Sequence, residues 1–220
     1  MSTLLVTAIA SAVIAARPAP AEEGATYAAL QIAYDREMNA RSQDLAYAAR
    51  AEREGHPGTG CMFTAVARAE SVHATNHAVA IRRLGCVPQW QLASTVVRGT
   101  RENLRTAIDN ERREHDAVYP RLAVFARAEF LYDALASLNY ARSAEATHAA
   151  LFANVLERVA TQDPGPPLLV LLVVGSLAPP EPVSSCHVCL GDGSVYLQPM
   201  KRCPNCGSGQ FVAFGCPGPR

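Results

Sequence analysis

The pattern Ala-Glu-x-x-His-Ala occurs twice in the chain, as Ala69-Glu70-Ser71-Val72-His73-Ala74 and as Ala144-Glu145-Ala146-Thr147-His148-Ala149. Each copy has a carboxylate upstream at a matching distance, Glu37 standing 33 residues before Glu70 and Glu111 standing 34 before Glu145. Residues three apart on an α-helix share a face, with Cβ atoms about 5–6 Å apart, so a Glu and a His at that spacing reach a single cation. One such pair is a weak signal. Two pairs with matched distal carboxylates describe a duplicated metal-binding pattern.

The elements that must position these groups are helices. The composition is Ala-rich and aromatic-poor with 49% hydrophobic residues, which favours helix over a β-sandwich. Net charge is zero with Lys and Arg scattered, so no nucleic-acid footprint is present and a small-molecule substrate is the better expectation. The spacing predicts a first helix from about Ala25 to Glu54, stopped by Gly55-His56-Pro57-Gly58, and a second from near Gly60 to Leu84. The inward face of the second reads Phe63, Val66, Glu70, His73, His77, Ile81 and Leu84. A third helix starts near Thr100 with the face Leu104, Ile108, Glu111, Glu114 or His115, Val118, Leu122 and Phe125. The fourth ends near Ala160, with Leu131, Leu135, Leu138, Glu145, His148, Phe152 and Val155 on its face. Every candidate ligand on these three helices sits in the middle of an apolar stripe.

That placement favours metal over solvated ion pairs. Glu37, Glu70, Glu111, Glu114 and Glu145 directed into one core would each cost several kcal/mol if ionised and unpaired. Two divalent cations supply the missing positive charge at the right depth. A Glu from each of two helices plus a Glu-x-x-His from each of the other two is the ligand arrangement of ferritin-like di-iron bundles. Glu37 and Glu111 are then the single carboxylates, Glu70 and Glu145 bridge, and Glu114 is surplus, which suggests that one metal changes partners.

The ends of the chain read differently. Met1 to Ala21 holds an apolar run from Leu4 to Ala16, too short to span a bilayer, followed by Ala19-Pro20-Ala21; it reads as a secretory signal or a disordered extension, giving an exported or periplasmic protein in the first case and a cytoplasmic one otherwise. The bundle is expected over residues 25–162. Residues 163–183 form a linker containing the apolar run Leu168 to Leu177, part of which reads as a short strand. Residues 184–214 carry Cys186-His187-Val188-Cys189 and Cys203-Pro204-Asn205-Cys206-Gly207, two Cys-x-x-Cys pairs that present four thiolates to one iron or zinc. Cys61, Cys86 and Cys216 remain as buried or tail thiols.

A di-iron bundle followed by a short tetracysteine module resembles rubrerythrin over roughly residues 25–214. The resemblance is carried by Ala33 to Ala40, Ala69 to Leu84, Arg101 to Leu104 running on to Glu111, Glu114 and Tyr119-Pro120, by Asn139-Tyr140-Ala141 with Glu145 and His148, and by the two cysteine pairs. It implies a mainly α fold, a ferritin-like four-helix bundle with a small rubredoxin-like or zinc-ribbon β module. It implies a di-iron site of Glu37, Glu70, His73, Glu111, Glu114, Glu145 and His148, with Tyr119 beside it, and one iron that moves between a Glu and a His on redox change. The implied activity is reduction of hydrogen peroxide to water in oxidative-stress protection. Two irons do the chemistry, and the Cys186, Cys189, Cys203 and Cys206 site, holding iron or zinc, returns electrons from a donor such as a rubredoxin or a reductase. A homodimer is implied as well.

Three features depart from the family pattern. Asp44 stands where a Tyr is usual, Leu190 follows Cys189 where a Gly is usual with Gly191 one place later, and the apolar run from Leu168 has no counterpart. Two other readings stand beside the peroxidase: a ferritin-like ferroxidase using dioxygen, and a non-enzymatic helical scaffold with a structural zinc ribbon.

Overall fold

The computed structural model describes residues 24–162 and 185–216. The predicted leader, Met1 to Ala21, and the linker over 163–183 with its apolar run lie outside the described residues. Five α-helices run in chain order, α1 (Ala25–Arg53), α2 (Pro57–Arg83), α3 (Thr100–Arg113), α4 (Tyr119–Ala128) and α5 (Tyr132–Gln162). A π-helical turn, Glu114–Val118, joins α3 to α4 so that the two serve as one bundle helix. Three short strands follow, β1 (Ser185–Cys189), β2 (Val195–Tyr196) and β3 (Phe211–Gly215), forming an antiparallel sheet in the order β2-β1-β3. No described helix is long and apolar enough to cross a membrane.

Gly55 ends α1 at φ +82° and Gly85 follows α2 at φ +83°, left-handed positions that cost a glycine little. α2 starts at Pro57, three residues before the predicted Gly60, because a proline in the first helical turn gives up only an amide that had no partner there. At Gly60 the two antiparallel helices come close: a Cβ there would lie 3.1 Å from the Ala48 carbonyl.

The long connection from α2 to α3 lies along α1. Gln31, Asp35 and Asn39, one turn apart, hold its backbone: Gln89 N–H donates to Gln31, Gln91 N–H to Asp35 and Ala93 N–H to Asn39 at 3.0, 3.1 and 2.8 Å. Its end is fixed where the Thr100 amide donates to Glu54 at 2.7 Å.

Two apolar clusters sandwich a polar layer. One gathers Tyr47, Phe63, Leu104 and Phe152 and extends into the small sheet through Cys186, Val188 and Val195; the other gathers Leu30, Ile81, Tyr119 and Leu138. Phe63 and Phe152 are fully buried with ring centroids 4.9 Å apart, and each burial stabilises the fold by about 1.5–3 kcal/mol. Along each bundle helix the predicted ligands fall between residues of the two clusters.

The π turn changes one expectation. It adds a residue to the helical ladder and rotates everything after it, so Tyr119, Leu122, Ala123 and Ala126 face inward. Phe125, expected on the inner face, is 43% exposed.

Candidate metal centre

Glu37 from α1, Glu70 and His73 from α2, Glu111 from α3, and Glu145 and His148 from α5 are all buried and converge in the polar layer. His73 Nδ1 lies 2.8 Å from Glu70 and 3.3 Å from both Glu37 and Glu145. His148 Nδ1 lies 3.0 Å from Glu145, 3.3 Å from Glu70 and 3.7 Å from Glu111. Two overlapping groups result: Glu37, Glu70, His73 and Glu145 in one, and Glu70, Glu111, Glu145 and His148 in the other. Glu70 and Glu145 belong to both, and the imidazole rings stack with centroids 5.7 Å apart.

Both carboxylate oxygens of Glu70 and of Glu145, and Nδ1 of His148, are buried without a hydrogen-bond partner. Buried polar atoms left so are rare and costly. Five of them gathered in two overlapping groups fit two cations, and the donor set of carboxylate and imidazole suits iron.

The electrostatics fit the same picture. Burial, then the Glu70 charge, holds the Glu37 carboxyl well above the usual carboxylate range, and burial, then Glu145, does so for Glu111. Burial acts the same way on Glu70 but is outweighed by the charges of His148 and His73, which hold it low. Against burial, Glu145, Glu37 and Glu70 push His73 well above the ordinary imidazole range, and Glu70 foremost does so for His148. Where no cation is bound, these shifts favour the protonated forms of Glu37, Glu111, His73 and His148 and the ionised forms of Glu70 and Glu145.

Tyr119 donates its hydroxyl to Glu37. Behind it, His77 Nε2 lies 3.2 Å from the Tyr119 hydroxyl and His77 Nδ1 lies 2.7 Å from Ser137 Oγ. Burial, then the charge on His73, pushes His77 down to about 3, so it is neutral. The donors then run in one direction: Ser137 O–H to Nδ1, Nε2–H to Tyr119, and Tyr119 O–H to Glu37. Sequence reading placed His77 on this face; Ser137 carried no signal.

Glu114 opens the π turn and stands outside both groups, held by Arg36, whose Nε donates to it at 2.7 Å. A cavity of about 300 Å³ reaches the layer from this side, lined among others by Asp44, Glu111, Glu114 and residues 93–95 of the long connection. Asp44 is buried with its Oδ2 unpartnered, and burial, then Glu70, holds its carboxyl well above the usual range.

The small sheet docks against the other side. His73 Nε2–H donates to the carbonyl of Asp192 at 2.8 Å, His148 Nε2–H to that of Gly193 at 3.1 Å, and Asn76 to that of Gly191 at 3.0 Å. One loop of the module therefore touches both histidines.

The predicted tetracysteine set divides. Cys189, Cys203 and Cys206 come together, with Asp192 as the fourth group. Cys186 does not join them. It shares the other face of the sheet with Val188, because Cys186 and Cys189 both belong to strand β1 and an offset of three turns their side chains to opposite faces. Cys186 packs 3.6 Å from Cys216 and 3.9 Å from the Met62 sulfur. Cys61 and Cys216, expected as free thiols, form a disulfide that ties α2 to the end of β3; Cys86 is a buried free thiol as expected.

The rubrerythrin family model matches residues 28–156. The chain is 32% identical to rubrerythrin-2 of Clostridium acetobutylicum over 125 residues, 56% of this chain and 67% of that protein. Fully reduced, all-ferrous nigerythrin matches with a TM-score of 0.72 at 20% identity, covering 96% of this chain and 100% of that one. Dithionite-reduced symerythrin from Cyanophora paradoxa matches with a TM-score of 0.53 at 22% identity, covering 61% and 84%.

Proposed function

Because the chain belongs to the rubrerythrin family, di-iron proteins of oxidative-stress defence, we propose that it reduces hydrogen peroxide to water. The observation that carries this reading is the buried set of unpartnered carboxylate and imidazole atoms, which fits two cations, in contact through both histidines with a loop of the cysteine module. Glu37, Glu70, His73, Glu111, Glu145 and His148 would hold two irons, which would supply the two electrons that, with two protons, convert one peroxide into two waters.

The chain's own groups do the rest. The cavity beside Asp44 and Glu114 admits a molecule the size of peroxide to the carboxylate side of the layer. Tyr119 fixes Glu37 through its hydroxyl, and the chain through His77 and Ser137 holds Tyr119 as a donor. Arg36 holds Glu114 at the cavity wall, within the π turn. The backbone of Asp192 and Gly193 offers a short route for electrons from the cysteine module into His73 and His148, supplied from outside by a rubredoxin or a reductase.

The test is anaerobic. Iron-loaded protein is fully reduced, stoichiometric hydrogen peroxide or dioxygen is added in separate runs, and reoxidation of the cysteine-site iron is followed by its visible absorption. Rapid reoxidation with peroxide and slow reoxidation with dioxygen is expected. Preference for dioxygen with build-up of ferric iron would replace the proposal with a ferroxidase.

A further inference from the structure

The cysteine module is built from two copies of one loop. In the first, Cys189-Leu190-Gly191-Asp192-Gly193-Ser194, the Cys189 amide donates to the Ser194 carbonyl at 2.9 Å and the Gly193 amide donates back to the Cys189 carbonyl at 3.0 Å. In the second, Cys203-Pro204-Asn205-Cys206-Gly207-Ser208, the Cys203 amide donates to Ser208 at 2.7 Å and the Gly207 amide to Cys203 at 2.8 Å. The glycine in each has a left-handed backbone, φ +79° at Gly193 and +74° at Gly207. By fold and sequence Cys189 is the equivalent of Cys203, and Asp192 the equivalent of Cys206.

We propose that the metal of this module is bound by Cys189, Asp192, Cys203 and Cys206, three thiolates and one carboxylate, and not by four cysteines. The four ligand atoms lie within 4.8 Å of one another. Cys189 and Cys206 sulfurs are 3.6 Å apart, and Cys203 Sγ is 3.1 Å from Asp192 Oδ2. Asp192 is fully buried, and its carboxylate's partners are the Ser194 amide and the thiols of Cys203 and Cys189. The thiol donors are lost when those sulfurs bind a metal as thiolates, which would leave an expensive buried charge. A cation between the two loops compensates that cost. The Gly191 amide donates to Cys189 Sγ at 3.3 Å, the kind of amide-to-sulfur bond that supports a thiolate ligand.

Cys186 is committed elsewhere, on the opposite face of β1 against the Cys61–Cys216 disulfide. The same register accounts for the sequence departure at Leu190. Gly191 is not a displaced knuckle glycine; the glycine that follows the second ligand is Gly193. A carboxylate in place of a thiolate keeps the site's formal charge and hardens one donor, which suits a tetrahedral zinc or iron and favours the ferric over the ferrous state relative to four thiolates.

The assignment does not depend on which oxidant the bundle uses, and its test reads metal binding alone. Full-length protein is freed of metal by a chelator, anaerobically and without added thiol so that Cys61–Cys216 stays closed, then titrated with cobalt(II). Cobalt in the bundle meets no sulfur, so near-ultraviolet sulfur-to-cobalt charge transfer reports the module only. We expect the intensity of three thiolates per ion, unchanged in Cys186→Ala, raised by about a third in Asp192→Cys, and an affinity weakened at least about tenfold in Asp192→Ala. Far-ultraviolet helicity checks that each variant folds. Loss of about a quarter or more of the intensity in Cys186→Ala, with Asp192→Ala binding as tightly as wild type, would overturn the assignment and restore the four-cysteine site.

Discussion

Gly193→Ala should separate the module from the bundle, and Gly207→Ala is its matched control. Both glycines follow a loop's second ligand position and both have φ in the left-handed region, so an alanine at either costs about 1–2 kcal/mol of backbone strain. They differ in what a new Cβ would meet. At Gly207 nothing lies within 4 Å; at Gly193 the Cβ would lie 2.6 Å from His73 Cδ2, closer still to Nε2, and 3.0 Å from the Ala69 carbonyl. The loop must retreat by about an ångström to reach ordinary contact, which breaks the His73 and His148 hydrogen bonds to residues 192 and 193. Those bonds contribute about 0.5–1.5 kcal/mol each. The expected totals are about 2–5 kcal/mol for Gly193→Ala and about 1–2 for Gly207→Ala. Urea denaturation of metal-loaded protein measures the first difference. Stopped-flow reoxidation of the module's iron by peroxide measures the second, and should slow at least tenfold only for Gly193→Ala. Equal stabilities and equal reoxidation rates in the two variants would refute the coupling of module to bundle through this loop.

Three other outcomes are expected. Glu70→Ala, removing an oxygen donor common to both ligand groups, should abolish binding of both bundle metals, whereas Glu111→Ala should lose only one; metal analysis per chain decides, and full occupancy in Glu70→Ala is the refuting result. Replacing Cys61 and Cys216 together with serine opens a link across a sequence separation of 155, worth up to about 5 kcal/mol on chain-entropy grounds; alkylation of unreduced, unfolded wild type should tag the five free cysteines, and seven tagged thiols would show that the bridge does not form. In the metal-free protein His73 and His148 are raised, so their stabilising contribution is complete below about pH 6.5 and is lost as pH rises through the raised values. Raised Glu37 and Glu111 act in the same direction from about pH 4.5 upward, while lowered Glu70 and Glu145 have already contributed fully there. His77, lowered to about 3, acts in the opposite direction and has contributed fully by about pH 6.5. Urea midpoints of chelated protein should therefore fall as pH rises above about 6.5, and those of metal-loaded protein should stay nearly level there; a midpoint that rises above that pH in chelated protein contradicts the protonated centre.

The bundle was legible because helical period and ligand spacing reinforce one another. Glu70, His73, Glu145 and His148 recur at i and i+3 within apolar stripes, and an element of 3.6-residue period brings them inward whatever the loops do. What broke that logic was a change of period. The π turn inserts one residue after Arg113, so the stripe read through Val118 and Leu122 is right at Leu122 and wrong at Phe125. Contacts far apart in the chain carried no local signal at all, among them Ser137 against His77 and Cys61 against Cys216.

The cysteine module failed for a related reason, and the failure bears on how the bundle works. Cys-x-x-Cys converges on one ion only where the chain turns; in strand β1 the same spacing points the sulfurs apart. The turn comes three residues later, at Cys189 to Gly193, and this displacement brings the carbonyls of Asp192 and Gly193 onto the two histidines. An imidazole that donates Nε2–H to a carbonyl keeps its Nδ1 lone pair for a cation. Both histidines are arranged so, with Nδ1 towards the carboxylates. The loop that holds the module's own metal thus also sets the tautomer and orientation of both imidazoles in the bundle, and a module displaced by Gly193→Ala should weaken iron binding at His148, 45 residues away in sequence, as well as slow electron transfer.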